Sequence, residues 1–334
     1  MVRTAVLIPC YNEGKAIASV VSDFKAQLPE ADIYVYDNNS TDDTVNEARK
    51  AGAIIRHENR QGKGYVVRSM FRQVEADIYI MVDGDGTYPA NRVHELIAPV
   101  IAGTADMTVG SRLHPLSDSR FRILNRLGNK IFLFILNTIF KMHMSDLLSG
   151  YRVFSRNVVK SLPILSRGFE VETEITVKCF ERGYRIVELP VNLSVRQAGS
   201  ESKIKIFRDG VLILNTIFSL FRDYKPFTAF GSLGLLSIGC GLIPGIIVIR
   251  EFLESGLVIR LPLALLSVGC VLSGLLSTFT GLILHSIANH QKENDYLLEN
   301  ILFQDECTDR KLIPQQNACC VNNTAPSEVN PGKS

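Results

Sequence analysis

Tryptophan is absent from this chain, and neither sign of charge is in real excess. The 36 Lys and Arg stand against 34 Asp and Glu, a formal net charge of +2 over 334 residues. A balance this even argues neither for nor against nucleic acid, and no nucleic-acid partner is expected. Paired cysteines are missing as well. The seven cysteines (10, 179, 240, 270, 307, 319 and 320) include no C-x-x-C spacing and two lie inside apolar runs, which points to neither a disulfide framework nor a zinc site. Cys319 and Cys320 sit in polar surroundings far from those runs and read as part of a plain tail rather than as acylation sites. A secretory leader is lacking too: the chain enters the strand-like Thr4-Ala5-Val6-Leu7-Ile8 almost at once, so the large domain is expected in the cytosol.

What the chain does have is apolar sequence, unevenly spread. Mean hydropathy is +0.13 although 21% of the residues are charged. From Phe227 to Ile249, and again from Leu261 to Leu284, no charged residue occurs. Each run exceeds the roughly 20 residues needed to cross ~30 Å of hydrocarbon, so two transmembrane helices are expected. The short connection Arg250 to Arg260 balances two acids against two bases, while cationic residues crowd the segment before the first run. The positive-inside rule then places both termini in the cytosol.

The first hundred residues alternate strand-like and helix-like patterns. Thr4 to Ile8 reads as a buried strand, and Ile17, Val20, Val21, Phe24 and Leu28 recur at helical spacing. Ile33 to Tyr36, Ala53 to Ile55, Asp77 to Val82 and Met107 to Val109 are further strands, and Ser40 with Asp43 resembles a helix cap. Such alternation implies right-handed crossovers and a largely parallel sheet, whose ligands bind beyond the carboxyl ends of the strands. Tyr11 to Glu13, Asp37 to Asn39, Gln61 to Gly64 and Asp83 to Asp85 all fall there, so four polar loops converge on one crevice.

Among them Val82-Asp83-Gly84-Asp85-Gly86-Thr87-Tyr88-Pro89 carries the sharpest chemistry. Two carboxylates two residues apart at a strand end suit a hard cation, Mg²⁺ or Mn²⁺, whose remaining positions a nucleotide diphosphate would complete. Asp-Gly is also ordinary turn chemistry. A helix-loop-helix calcium loop fits poorly, because counting from Asp83 the required glycine and glutamate positions hold Tyr88 and His94.

Ile8-Pro9-Cys10-Tyr11-Asn12-Glu13, Asp37-Asn38-Asn39-Ser40-Thr41-Asp42, Val82-Asp83-Gly84-Asp85-Gly86 and Gly110-Ser111-Arg112, in this order, resemble the successive motifs of family 2 glycosyltransferases with the GT-A fold. Leu148-Ser149-Gly150-Tyr151-Arg152 and the run from Glu188 to Lys203 resemble the dolichyl- or polyprenyl-phosphate sugar synthases within that family. The likeness covers roughly residues 4 to 205 and implies a Rossmann-like α/β, mostly parallel sheet. It implies donor-nucleotide contacts from Pro9, Tyr11, Glu13, Asp37, Asn38, Lys63, Asp83 and Gly84, with metal held by Asp83 and Asp85. At Asn38 the chain departs from the common pair of aspartates, and an amide donates as well as accepts. Where mannose-transferring relatives often have glutamine, this chain has Thr87.

Beyond residue 112, Arg122, Arg126 and Lys130 are spaced four apart, ahead of the apolar Ile131 to Leu136. A helix of that kind suits the headgroup boundary. The resemblance implies that arginines here (Arg112, Arg122, Arg126), with Ser149 and Arg152, take the acceptor phosphate. Glu170, Glu172 and Glu174 alternate; a second metal site is one reading, and the resemblance favours sugar contacts from Glu170 and Glu172. Arg196 to Lys203 is similar to a mobile loop that closes on the diphosphate, and a planar guanidinium suits two phosphate oxygens. Ile204 to Lys225 reads as an amphipathic helix on the membrane.

The expected organisation is a cytosolic catalytic domain over 1–203, an interfacial helix over 204–226, a two-helix membrane hairpin over 227–288, and a polar, largely disordered tail over 289–334. The expected activity is inverting, metal-dependent transfer of a sugar from UDP-glucose or UDP-N-acetylglucosamine, with GDP-mannose next, to a polyprenyl or dolichyl monophosphate. A cation held by Asp83 and Asp85, together with Arg196 and Lys203, would neutralise the departing diphosphate. The absent tryptophan excludes the Gln-x-x-Arg-Trp motif of processive polysaccharide synthases. Transfer to a glycan hydroxyl, and a non-catalytic nucleotide-sugar-binding scaffold, are the alternatives. Gly241 and Gly245 have the spacing of a helix-packing pair, which keeps association of subunits through the spans open.

Overall fold

The computed structural model describes residues 2–112, 132–193 and 206–312. Among them seven strands are present: β1 (Thr4–Cys10), β2 (Asp32–Asp37), β3 (Ile54–His57), β4 (Ile78–Met81), β5 (Met107–Arg112), β6 (Arg152–Ser155) and β7 (Ile186–Val191). They form one sheet in the order β3-β2-β1-β4-β6-β5-β7. Every neighbouring pair is parallel except the two made by β6, which runs antiparallel to β4 and β5. The parallel half matches the strand-helix alternation. β6 does not follow from it, since four residues are too few to show a period and the segment before them reads as a loop motif.

Helices cover both faces, which explains why the central strands are almost continuously apolar. α1 (Ile17–Gln27), α2 (Thr44–Lys50) and α4 (Val93–Ile101) lie on one side, and α3 (Lys63–Gln73), α6 (Arg156–Ser161) and α7 (Val171–Glu181) on the other. Successive strand side chains point to opposite faces. Val6, Ile8, Ile78 and Ile80 accordingly pack under α1 and α4, while Ala5, Leu7, Tyr79 and Met81 pack on the α3 and α7 side. Burying each large apolar side chain contributes about 1.5–3 kcal/mol. The expected cap of α2 is corrected: Asp43 stands at its N-cap without a side-chain cap bond, and the Ser40 hydroxyl accepts from the Asn12 amide at 2.9 Å instead.

A third apolar cluster joins this domain to the helix leading toward the apolar runs. α5 (residues 132–140) contributes Phe132, Leu136 and Phe140, one face at a spacing of four, against Ile213, Ile217 and Leu220 of α8 (Ile206–Tyr224) and Val177 of α7. The opposite face of α8 exposes Val211, Leu214 and Phe218. α8 is thus apolar on two sides, one of them turned away from the protein.

α9 (Pro226–Ser255) and the first part of α10 (Leu261–Leu312) contain two helices long and apolar enough to cross a membrane. They pack through small residues. A Cβ on Gly241 would lie 2.8 Å from Ser267 O, and one on Gly245 would lie 2.6 Å from Ser267 Oγ, which itself donates to Gly241 O at 2.7 Å. The Gly241 and Gly245 pair therefore serves the hairpin within one chain. Residues 286–334 form a second unit, helical through Leu312. Residues 286–312 contain neither Gly nor Pro, in keeping with that helix.

Candidate active site

Parallel register sets the geometry of the site. Cys10 pairs with Asp37 and Asp37 with His57, so the carboxyl ends of β1, β2 and β3 are level, and Leu7 opposite Met81 brings residues 82–85 alongside them. The link between the two acids lies flat on the end of β1: a Cβ on Gly84 would sit 2.6 Å from Cys10 Sγ and 3.4 Å from Ile8. Only glycine fits between Asp83 and Asp85. Asp85 is 7% exposed, and its Oδ1 accepts from Thr87 N at 3.0 Å and Thr87 Oγ1 at 2.6 Å. Thr87 thus aims the second acid.

The neighbouring loops are zipped into one ledge. Asn12, at φ 53°, accepts from Thr41 N at 2.7 Å, and the amides of Glu13 and Gly14 donate to Thr44 Oγ1 (2.8 Å) and Asp42 Oδ2 (2.9 Å). Tyr11 projects from this ledge with 38% of its surface exposed. Pro9 lies within β1, paired to Tyr36. Asp37 accepts from Ser40 N at 3.2 Å and has His57 Nδ1 at 3.4 Å from its other oxygen.

Asn38 is buried, and its amide faces the protein rather than open space. Nδ2 donates to Glu58 O and Arg60 O, both at 2.8 Å, while Oδ1 accepts from Gly62 N at 2.7 Å. The departure from aspartate noted in the sequence has this cause: a carboxylate has no donor for two carbonyls. Asn38→Asp is expected to destabilise the domain by about 3 kcal/mol, through two unsatisfied buried acceptors facing a new charge. A lowered melting midpoint checks this, and an unchanged one would contradict it.

Glu58 anchors the same loop from below, accepting from Arg60 N (2.9 Å), Arg60 Nε (2.8 Å) and the Ser69 hydroxyl. The Arg60 hydrogen bond, against the opposing effect of burial, lowers its carboxyl from 4.5 to about 2. A depressed folded-state pKa stabilises fully above the unfolded value and is lost as pH falls through the folded one. Protection of the 58–64 amides from hydrogen exchange should therefore weaken between pH 4.5 and about 2, and Glu58→Gln should remove that dependence.

Behind the acids, Lys63 opens α3 between two glycines. Cβ atoms on Gly62, at φ +137°, and on Gly64 would run into the carbonyl oxygens of Arg167 and Ser166, so the helix start abuts that loop closely. Lys63 Nζ lies 2.5 Å from Asp83 Oδ1 and 2.5 Å from Glu172 Oε1, with only 11% of its side chain exposed. Burial pulls the ammonium down, but the Asp83 and Glu172 carboxylates outweigh it and raise its pKa. The other oxygen of Glu172 is buried with no hydrogen-bond partner among the described residues.

The three alternating glutamates have separate tasks. Glu170 accepts from Arg167 N (2.9 Å) and Gly168 N (3.0 Å), and Glu174 accepts from Leu165 N and Ser166 N while pairing with Lys178 at 2.7 Å. Both brace the 165–168 loop, and Glu172 alone of the three meets Lys63.

On the other flank, Gly150 packs on Asp83. A Cβ there would lie 2.6 Å from the Asp83 carboxyl carbon and 2.8 Å from Oδ1. Tyr88 OH accepts from Gly150 N at 2.9 Å, and burial raises its phenol above the ordinary range. Neither Gly150 nor Tyr88 stood out in the sequence except as glycine and tyrosine inside motifs noted for their acids, serine and arginine. Ser149 and Arg152 are both 0% exposed. Ser149 Oγ donates to Gly110 O at 2.6 Å, and the Arg152 guanidinium donates to Ser149 O, Leu147 O and Thr176 Oγ1 at 2.7 to 2.9 Å. The expectation that these two touch an acceptor phosphate is therefore corrected: they are sealed inside and hold the 147–152 loop. Arg112 is partly open and forms a two-pronged pair with Asp146, both contacts at 2.6 Å. Arg122, Arg126, Lys130, Arg196 and Lys203 lie outside the described residues.

No cluster of three or more His, Cys, Asp or Glu groups with metal-holding geometry occurs among the described residues. Asp83 and Asp85 on one glycine-backed turn are nonetheless a hard-oxygen donor pair that leaves positions for substrate oxygens. The donor set fits Mg²⁺ or Mn²⁺.

The sequence profile described as glycosyl transferase family 2 matches residues 5–162. Glycosyltransferase AglJ of Haloferax volcanii is 34% identical over 238 residues, 71% of this chain and 78% of that protein. The dolichyl-phosphate hexose transferase of the same organism is 27% identical over 213 residues, 64% of this chain and 91% of that protein. The fold is similar to that of glucosyl-3-phosphoglycerate synthase from Mycobacterium tuberculosis, solved with Mn²⁺, UDP-glucose and phosphoglyceric acid. That match has a TM-score of 0.57 at 21% identity and covers 66% of this chain and 80% of that one. Sheet order, the acid pair beyond β4 and the similarity to AglJ agree: the chain belongs to glycosyl transferase family 2 and has the GT-A fold.

Proposed function

We propose that this protein transfers a sugar, with inversion, from a nucleotide diphosphate sugar to a polyprenyl monophosphate at a membrane surface. The observation that carries the reading is the union of two features in one unit: the Asp83 and Asp85 turn seated on β1, and the two-sided helix α8 leading into two membrane-length helices. The dolichyl-phosphate hexose transferase among the relatives supports the acceptor, and the UDP-glucose in the structural neighbour supports the donor class. UDP-glucose or UDP-N-acetylglucosamine is favoured, with GDP-mannose next.

In this scheme Pro9, Tyr11, Glu13 and Asp37 form the nucleotide ledge, which Asn38 braces from behind, and Glu172 anchors Lys63 beneath the sugar position. Asp83 and Asp85 hold Mg²⁺ or Mn²⁺, which when bound supplies charge neutralisation at the diphosphate. The lipid phosphate is assigned to Arg112, Arg122 and Arg126, and the donor diphosphate to Arg196 and Lys203. The acceptor phosphate is already anionic at neutral pH and needs no general base. One of its oxygens bonds to the anomeric carbon as the bond to the diphosphate breaks, the electron pair leaving with the diphosphate. The domain would face the cytosol, with both termini on that side.

Membranes containing the protein, given polyprenyl phosphate and each labelled nucleotide sugar in turn, test this directly. Label in an acid-labile lipid extract is the expected result. Label confined to glycan, or to no product, would overturn it.

A further inference from the structure

We propose that Lys63 is a resident counter-ion of the acidic centre, drawn off Asp83 by the donor diphosphate, so that nucleotide and divalent cation bind cooperatively. The inference rests on the reading of the donor as a nucleotide diphosphate sugar and adds an order of events to it. Its basis is a single ammonium shared by two carboxylates, 2.5 Å from Asp83 Oδ1 and 2.5 Å from Glu172 Oε1. A divalent ion and this ammonium cannot both lie against Asp83, because like charges at such separations in a poorly hydrated site repel strongly. Cation alone must therefore push Lys63 off Asp83 and leave its charge with Glu172 as its one remaining carboxylate partner among the described residues.

A diphosphate changes the balance. Asp83 is 29% exposed whereas Glu172 is 4% exposed, so an incoming anion reaches the ammonium from the Asp83 side while Glu172 keeps hold of it from within. The close packing of Gly62 and Gly64 on residues 166–167 fixes the backbone, leaving movement to the side chain. Lysine suits this exchange, since its compact ammonium on a flexible stem has three donors that can be redistributed, whereas a guanidinium fork is rigid. Each ligand that moves Lys63 lowers the cost of the other, and linkage makes the effect reciprocal.

Mn²⁺ binding to the full-length protein in detergent, followed by loss of the free-ion electron paramagnetic resonance signal with and without UDP or GDP, tests the idea. Lys63→Met is expected to tighten binding of Mn²⁺ alone by about tenfold, within the usual range of site-site coupling, and to shrink the enhancement by nucleotide by a similar factor. A lysine that merely binds nucleotide would leave Mn²⁺ alone unchanged, and one that merely supports the fold would weaken it; either result overturns the proposal. Lys63→Gln, which keeps a polar side chain, provides the same comparison if the methionine variant melts early. If the wild type binds no Mn²⁺ with any nucleotide, the donor reading itself fails and this inference falls with it.

Discussion

Asp85→Ala is expected to reduce sugar transfer by about a thousandfold or more while leaving the protein folded, because it removes one of the two carboxylates proposed to hold the cation that compensates the diphosphate charge. The substitution empties a position on a turn rather than in the core: Asp85 is hydrogen-bonded through Thr87, and Gly84 beside it makes the contact with Cys10. An unchanged melting midpoint with lost turnover is the expected pair of results. Near-normal turnover at saturating Mn²⁺ would refute the role. Thr87→Val gives a graded comparison. It removes the 2.6 Å hydroxyl contact but leaves the carboxylate, so the metal concentration needed for half activity should rise severalfold with turnover at saturation largely kept.

Gly150→Ala is expected to cost about a hundredfold in turnover although no hydrogen-bonding group is removed, since a displacement near 1 Å at a reacting centre has consequences of that size. The added methyl would sit 2.6 Å from the Asp83 carboxyl carbon, inside any allowed contact. The Gly150 amide is tied to Tyr88 OH at 2.9 Å, and Ser149, next to it, is pinned to Gly110 O at 2.6 Å. The mobile partner is therefore Asp83, whose carboxylate must give way. Weakened Mn²⁺ binding alongside the lost activity would show that Asp83 has moved. Normal Mn²⁺ binding with normal turnover would mean that the 147–152 loop yields instead.

Much of the site is legible in the sequence itself. A strand ending in two acids two apart, with glycine between, already implies that both carboxylates share an edge and that the link lies close to something. The parallel register then makes the neighbouring loops converge. Tyr11 to Glu13, Asp37 and Lys63 were placed by that argument, and the structure brings them to the same edge. Ser149 and Arg152 were misplaced for a plain reason. A polar motif in sequence looks the same whether it faces a ligand or satisfies a buried loop, and the fully enclosed Arg152 guanidinium belongs to the second kind.

Sequence alone determined the layered α/β scaffold, the acid pair and the two apolar helices, because each depends on local periodicity or on residues adjacent in the chain. Tertiary structure decided which polar groups meet. Glu172 and Glu174 are two residues apart on α7, hence roughly 200° apart around it, so one turns toward Lys63 and the other toward the 165–168 loop. Which of the two faces the crevice depends on how α7 is rotated against the sheet. That rotation is set by packing of Val171, Ile175 and Cys179 against side chains distant in sequence, and no local pattern encodes it.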